Sequence, residues 1–336
     1  MINLTSRYLG LDLTHPIIAS ASPLTGTFDG MRRLEDAGAA AVVMVSLFEE
    51  QIRAQDTRYA TLTEYTADSH PEATTYFPEL AGYSHGISGH LRTLRRAVEA
   101  LDIPVIASLN GTSDEGWLDF AVQLEQAGAA ALELNLYIPP ADFAVSGTEI
   151  ENRYIDIVRH VKGKVRIPVS VKLSPSFSAL GNFVRNLEVA GAEGVVLFNR
   201  FCQPDLDIET QGVTGGPGLS SPAEIHVPLT WIASLSRRVN MSLAAGTGVD
   251  RSTEVMKFLL AGADVVSTAS ALLRHGPARM TSLVAGVERW LEEHAFESVK
   301  DIRGRLDAES FGQADTFLRA RYLHTLADIS LDYIRR

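Results

Sequence analysis

A lysine inside a continuously apolar run calls for a chemical explanation. Lys172 occupies such a run, IPVSVKLS, which begins at Ile167. Lysine is almost never buried without a partner. Its partner is either a structural ion pair with Glu133 or a ligand at the end of the strand. Strand alternation sorts the neighbours, because side chains two residues apart share a face. Val169, Val171 and Leu173 form an apolar face, and Ser170, Lys172 and Ser174 a polar one. In the run ALELNLY, Leu132, Leu134 and Leu136 oppose Glu133, Asn135 and Tyr137. The apolar sets suit a covering helix layer, so the polar sets are expected to point inward. Tyr137 either fills the mouth of such an interior or offers its phenol as a proton-transfer group. Cys202 is the one cysteine of the chain. It is either an ordinary buried side chain or a replacement acid–base group. Arg200 can bind a carboxylate bidentately or make a surface ion pair.

Segments of small residues form a second set of candidates. Two are Ala-Gly-Thr-Gly at 245–248 and Ser-Thr-Ala-Ser at 267–270, each followed by a helix start. Adjacent loops of this kind cradle a phosphate through backbone N–H groups and a helix N-terminus. Gly-Gly-Pro-Gly-Leu-Ser-Ser-Pro at 215–222 is either a turn into a serine-capped helix or a place where backbone approaches a planar ligand. Ala-Ser-Ala-Ser-Pro at 19–23 leaves room for a ring system.

These residues need a scaffold, and internal repetition supplies its plan. Ala-Gly-Ala recurs at 37–39, 127–129, 190–192 and 261–263, each time closing a helix-like stretch before an apolar run. Glycine ends a helix because it tolerates positive φ. Four further apolar runs begin at His15, Ile103, Ile167 and Met241. Helices are expected near 27–38, 88–102, 114–128, 149–162, 178–191, 221–239, 250–262 and 277–294. Eight apolar strands alternating with helices predict a (β/α)8 TIM barrel over residues 1–305. A Rossmann-like sheet is the rival, but no Gly-x-Gly-x-x-Gly follows the first strand. Residues 47–87 predict a long loop after strand 2 that covers the carboxyl face. Residues 306–336 predict a helical tail packed on the barrel.

Composition narrows the function. A net charge of −11 argues against a nucleic-acid partner, which needs clustered Lys and Arg. One cysteine excludes a disulfide framework or a cysteine-rich metal site built by this chain alone. No metal is expected. The opening residues lack a signal-peptide pattern and no apolar run is long enough for a membrane span, so a cytoplasmic protein with no membrane partner is expected.

Taken in order, these segments resemble the dihydroorotate dehydrogenase family over about residues 3–305. The resemblance rests on 19–23, on Glu-Leu-Asn-Leu at 133–136, on Val-Lys-Leu at 171–173, on Asn199, on Gly-Leu-Ser at 218–220 and on the two phosphate loops. It implies an FMN-dependent oxidoreductase acting on a CH–CH bond, dihydroorotate to orotate in pyrimidine biosynthesis. It implies that Ala19, Ser20 and Ala21 lie along the flavin. Ser46, Asn135 and Lys172 would bond its ring or ribityl chain, with Asn110 a further contact. Gly218 and Ser220 would sit beside the cofactor, and Gly246, Gly248, Thr268 and Ala269 would hold its phosphate. Asn135, Asn199 and Arg200 would face a small-molecule substrate, with a carboxylate suited to Arg200. A cation at Lys172 would stabilise negative charge that develops on reduction. A homodimer is also implied.

The sequence departs from the family on the substrate side. The family's lysine at the end of strand 2 is replaced by Val45. The position of its catalytic base falls on Ile138, and its pyrimidine-binding asparagine becomes Pro140. Arg200 stands where a small hydroxyl residue follows Asn199. Loss of a positioned base costs about two to four orders of magnitude in rate. Tyr137 and Cys202 are the replacement candidates. Two other functions stay open: a non-catalytic or electron-transfer FMN subunit with a redox partner protein, and a flavin-free Schiff-base lyase or aldolase using Lys172.

Overall fold

A computed structural model describes residues 2–50, 86–111, 114–138, 142–200, 205–215 and 218–311, with 319, 322–323 and 325–327 in the tail. The chain opens with an antiparallel hairpin, β1 (Ser6–Tyr8) and β2 (Leu11–Leu13). A nine-stranded sheet follows, entered by β3 (Ile17–Ala19), β4 (Val42–Val43), β5 (Leu47–Phe48), β6 (Val105–Asn110), β7 (Ala131–Asn135), β8 (Val169–Leu173) and β9 (Gly194–Leu197). A second hairpin, β10 (Asp205–Asp207) and β11 (Gly212–Thr214), interrupts the sheet before β12 (Ser242–Ala245) and β13 (Val265–Thr268). All ladders of the large sheet are parallel, and the β4–β6 pairing closes it. Because β4 and β5 both pair with β6, they share one place, and the barrel has the eight positions expected.

The helices are α1 (Phe28–Asp36), α2 (Gly86–Ala100), α3 (Asp114–Gln126), α4 (Gly147–Lys162), α5 (Leu180–Val189), α6 (His226–Leu235), α7 (Ser252–Ala261), α8 (Ser270–His275), α9 (Arg279–Glu293) and α10 (Val299–Ile302). The repeated Ala-Gly-Ala does what its glycine allows. Gly38, Gly128, Gly191 and Gly262 have φ of 88°, 95°, 105° and 116°. Capping fixes the other ends. Ser146 accepts from the Glu149 amide while Glu149 accepts from the Ser146 amide at 2.7 Å, which starts α4.

Two boundaries differ from expectation. Leu47 and Phe48 continue the sheet opposite Leu109 and Asn110, so the loop does not start at 47. Serine at 46 hides this, since it splits an apolar run that the ladder rejoins. The helix expected over 221–239 divides into a 3-10 turn, Pro222–Ile225, and α6. The strand 2 loop falls almost wholly at 51–85, outside the described residues, as does most of the tail. The described chain stays packed at least to Ala308, whose amide donates to the Ala233 carbonyl.

The core has two parts, as the alternation requires. Val169, Val171 and Leu173 join Leu132, Leu134 and Leu136 in the layer between sheet and helices. Inside the barrel lie Ile18, Val43, Ile106, Ala131, Val196, Ala244 and Val265, closed from the amino-terminal end by Tyr8, Leu9 and Leu13 of the first hairpin. Each large apolar side chain taken fully out of water contributes about 1.5–3 kcal/mol. With the amino-terminal end plugged, access to the lumen is left at the carboxyl ends of the strands. Among the described residues no helix is long and apolar enough to cross a membrane.

Candidate functional site

Two residues beyond four of the lumen-facing apolar side chains, the same face turns polar. Ile18 is followed by Ser20, Ile106 by Ser108 and Asn110, Ala131 by Glu133 and Asn135, and Val265 by Ser267, all buried. Period-two alternation therefore converts a dry barrel floor into a polar mouth. Lys172 lies in the middle of it. Its Nζ is 3.3 Å from Glu133 Oε1 on the neighbouring strand and 3.3 Å from Ser20 Oγ. Ser20 follows β3, four positions from β8 in either direction round the barrel. The ammonium thus crosses the lumen. Lys172 has its ion pair with Glu133, and it lies beneath the mouth. Below it sits the Tyr8 phenol, raised above its ordinary range first by burial and then by the Glu133 charge.

Around this centre Asn199 donates to Asn135 Oδ1. Ser46 and Ser108 hydroxyls are 2.8 Å apart. The break between β4 and β5 turns Ser46 towards that partner. Val45 packs towards Gly26, with its Cγ1 3.4 Å from where a Gly26 Cβ would stand. Ala19 is fully buried with Ile17 in the layer between sheet and helices, its side chain turned away from the lumen, and Ala21 packs at the edge of the lumen cluster.

A second polar group forms where three loops meet. The Ser220 hydroxyl is 2.9 Å from the Ser270 hydroxyl, the Ser220 amide donates to Ser270 Oγ at 3.0 Å, and the Gly248 amide donates to Ser220 Oγ at 3.3 Å. Gly248 has φ of 78°, and a Cβ there would lie 2.9 Å from the Ile225 nitrogen. Only glycine lets the loops after β9 and β12 approach so closely. The group carries donors and no acidic side chain.

Other expected phosphate contacts are placed differently. Gly246 donates its amide to the Leu197 carbonyl at 2.7 Å, so the ladder already uses it. Thr268 has outer parity and donates its hydroxyl to the Val249 carbonyl at 3.4 Å. Ala269 precedes α8. Gly218 is exposed, with open space around it. Ser108 is a residue that sequence reasoning passes over, and Ser270 enters it only within the strand 8 phosphate loop, without being singled out as a contact. Ser108 shares parity with Asn110, and Ser270 ends the strand 8 segment, so each left a signal too weak to separate from ordinary serine.

Arg200 already has one carboxylate partner. Its Nε donates to Glu224 Oε1 at 2.7 Å. Burial pushes the Glu224 carboxyl up, but the Ser221 amide and the Arg200 guanidinium outweigh it and hold the group below the usual range. Beside the serine pair, Asp250 meets Arg274 at 2.8 Å and His275 at 3.1 Å, and Arg274 also donates to the Ser220 carbonyl at 3.0 Å. Burial raises the Asp250 carboxyl, and the His275 and Arg274 contacts more than offset this. Tyr137 is 44% exposed at the rim. Ile138 donates its amide to Tyr154 Oη at 2.8 Å and packs against the outer core. Cys202 and Pro140 lie outside the described residues.

The match to known proteins follows the same outline. A family profile described as dihydroorotate dehydrogenase matches residues 79–291. The chain belongs to the dihydroorotate dehydrogenase family. It is 32% identical to a putative dihydroorotate dehydrogenase A (fumarate) of Aeropyrum pernix, over 63% of this chain and 71% of that one. It is 26% identical to the catalytic subunit of a dihydroorotate dehydrogenase B (NAD(+)) of Bacillus cereus, over 88% and 94% of the two chains. The corresponding protein of Thermoplasma volcanium is also 26% identical, over 90% and 98%. Membership of the family makes the chain a dihydroorotate dehydrogenase-like oxidoreductase.

Proposed function

We propose that this chain is an FMN-dependent oxidoreductase whose cofactor half follows its family and whose substrate half has changed. The observation that carries this is the placement of Lys172 across the lumen towards Ser20, with the Ser220–Ser270–Gly248 cluster in loops at the same end of the barrel. The residues suit the group. An anionic phosphate needs donors without competing carboxylates, and the hydroxyl proton that the Ser220–Ser270 pair does not use internally would provide one. A flat ring system needs small residues, which Ser20 and Ala21 provide. Asn135, Asn110 and Ser46 would bond the ring or the ribityl chain. FMN, when bound, accepts a hydride equivalent from a carbon–hydrogen bond of the substrate. The lysine cation would favour the added negative charge.

The proton side differs. Oxidation of a CH–CH bond also requires a base within reach of the second hydrogen. Ile138 cannot accept a proton, and its amide is engaged by Tyr154. Dihydroorotate is therefore a poor substrate in this reading. A small molecule reaching Asn135 and Asn199, with Tyr137 or Cys202 as acid–base group, is the alternative substrate class. The Ile138 position also supports a second reading, an FMN subunit that exchanges electrons with a redox partner protein. The B-type relatives are named as catalytic subunits, which is compatible with such a partner. The Schiff-base reading is weaker, because the Lys172 amine is already held by a carboxylate and a hydroxyl.

Anaerobic titration of the FMN-loaded protein with dihydroorotate tests this. Slow or absent bleaching of a tightly bound flavin is expected. Bleaching within seconds refutes the altered substrate half, and failure to bind FMN refutes the flavin reading.

A further inference from the structure

Lys172 and Glu133 are the charged side chains that reach the lumen among the described residues. The other buried carboxylates are held elsewhere. Glu254 caps α7, Asp264 accepts from the Leu243 amide, Asp307 meets Arg237 and Glu49 lies against Gly116. Glu133 therefore has a defined electrical position. It is 3% exposed, with Lys172 on its mouth side and the neutral Tyr8 phenol on its plug side. Its own neighbours along the strand, Leu132 and Leu134, face the helix layer.

We infer that Glu133 is a positioning residue: it holds the Lys172 ammonium across the lumen and offsets its charge, and so sets how readily a cofactor lying over that amine takes up electrons. The inference rests on the FMN reading above. A cofactor that gains negative charge on reduction responds to the net charge beneath it, not to the lysine alone. With both groups present the lumen is neutral overall. Replacing the carboxylate by an amide of the same shape leaves a whole positive charge beneath the site, and reduction becomes easier. Coulomb's law with an effective dielectric near 20 makes a unit charge within one side chain's length worth about tenfold or more in such an equilibrium. A purely structural role for Glu133 would change melting and affinity but not this ratio.

The test compares wild-type protein, Glu133→Gln and Glu133→Asp, each loaded with FMN and equilibrated anaerobically against a reference dye. At a fixed dye potential, Glu133→Gln is expected to raise the ratio of reduced to oxidised flavin by about tenfold or more, which for a two-electron couple is about 30 mV. Glu133→Asp, which keeps the charge, is expected to stay nearer the wild type than the glutamine variant does. Should Glu133→Gln not fold, Glu133→Met carries the same expectation. A smaller shift on loss of the charge, or an equal shift in the aspartate variant, overturns the inference while leaving FMN binding intact. If wild-type protein binds no FMN, the flavin reading and this inference fall together.

Discussion

Removing the Lys172 amine without its partner should be among the most destabilising single changes in the barrel. The pair is buried, with Nζ 3.3 Å from Glu133 Oε1. At that separation and an effective dielectric near 20 the attraction is about 5 kcal/mol. Most of that offsets the cost of taking both charges out of water. A methionine at 172 deletes the attraction and leaves the carboxylate desolvated, a loss of about 3–5 kcal/mol. Removing both charges removes both costs. Glu133→Leu with Lys172→Met should then recover most of the loss, because replacing a whole buried pair by apolar groups is often neutral or stabilising. The assay is urea unfolding of FMN-free protein at pH 7 for the wild type, both single variants and the double variant. A coupling of about 3 kcal/mol is expected. Single losses below about 1 kcal/mol that simply add in the double variant would refute the reasoning, because they would mean that water reaches the pair.

Three further outcomes follow from other parts of the site and fold. His90 on α2 has a buried Nε2 without a partner, and burial lowers the imidazole to about 4. The unfolded chain takes up the proton near pH 6.5 and the folded chain only near 4, so stability falls as pH drops through that window. By pH 5 the loss is about 2 kcal/mol, and His90→Leu should abolish that part of the difference between urea midpoints at pH 7 and pH 5. Ser270→Ala removes a hydroxyl that would meet a dianionic phosphate, worth about 1.5–3 kcal/mol. The dissociation constant for FMN, read by flavin fluorescence, should rise at least about tenfold, and loss of the acceptor of the Ser220 amide should also lower melting of the FMN-free protein. Gly248→Ala places a Cβ 2.9 Å from the Ile225 nitrogen at a φ of 78°. It should cost about 1–3 kcal/mol, and unchanged thermal stability would show that the loops after β9 and β12 are not tightly packed.

The residues themselves determined the barrel and its polarity. Ala-Gly-Ala closes α1, α3, α5 and α7 because glycine alone takes positive φ cheaply, and all four glycines adopt it. Alternation placed Lys172, Glu133 and Asn135 inside and Leu132, Val171 and Leu173 outside, since a strand gives successive side chains opposite faces whatever surrounds it. Those are local rules, and a linear string carries them in full. The meeting of distant groups is different. That Lys172 reaches Ser20 across the lumen depends on closure of the sheet. That Ser220 meets Ser270 and Gly248 depends on three loops converging within hydrogen-bonding range. Competition for partners was also decided in three dimensions. Gly246 gave its amide to Leu197, and Arg200 found Glu224, because a nearby acceptor within the chain claims a donor before any ligand arrives.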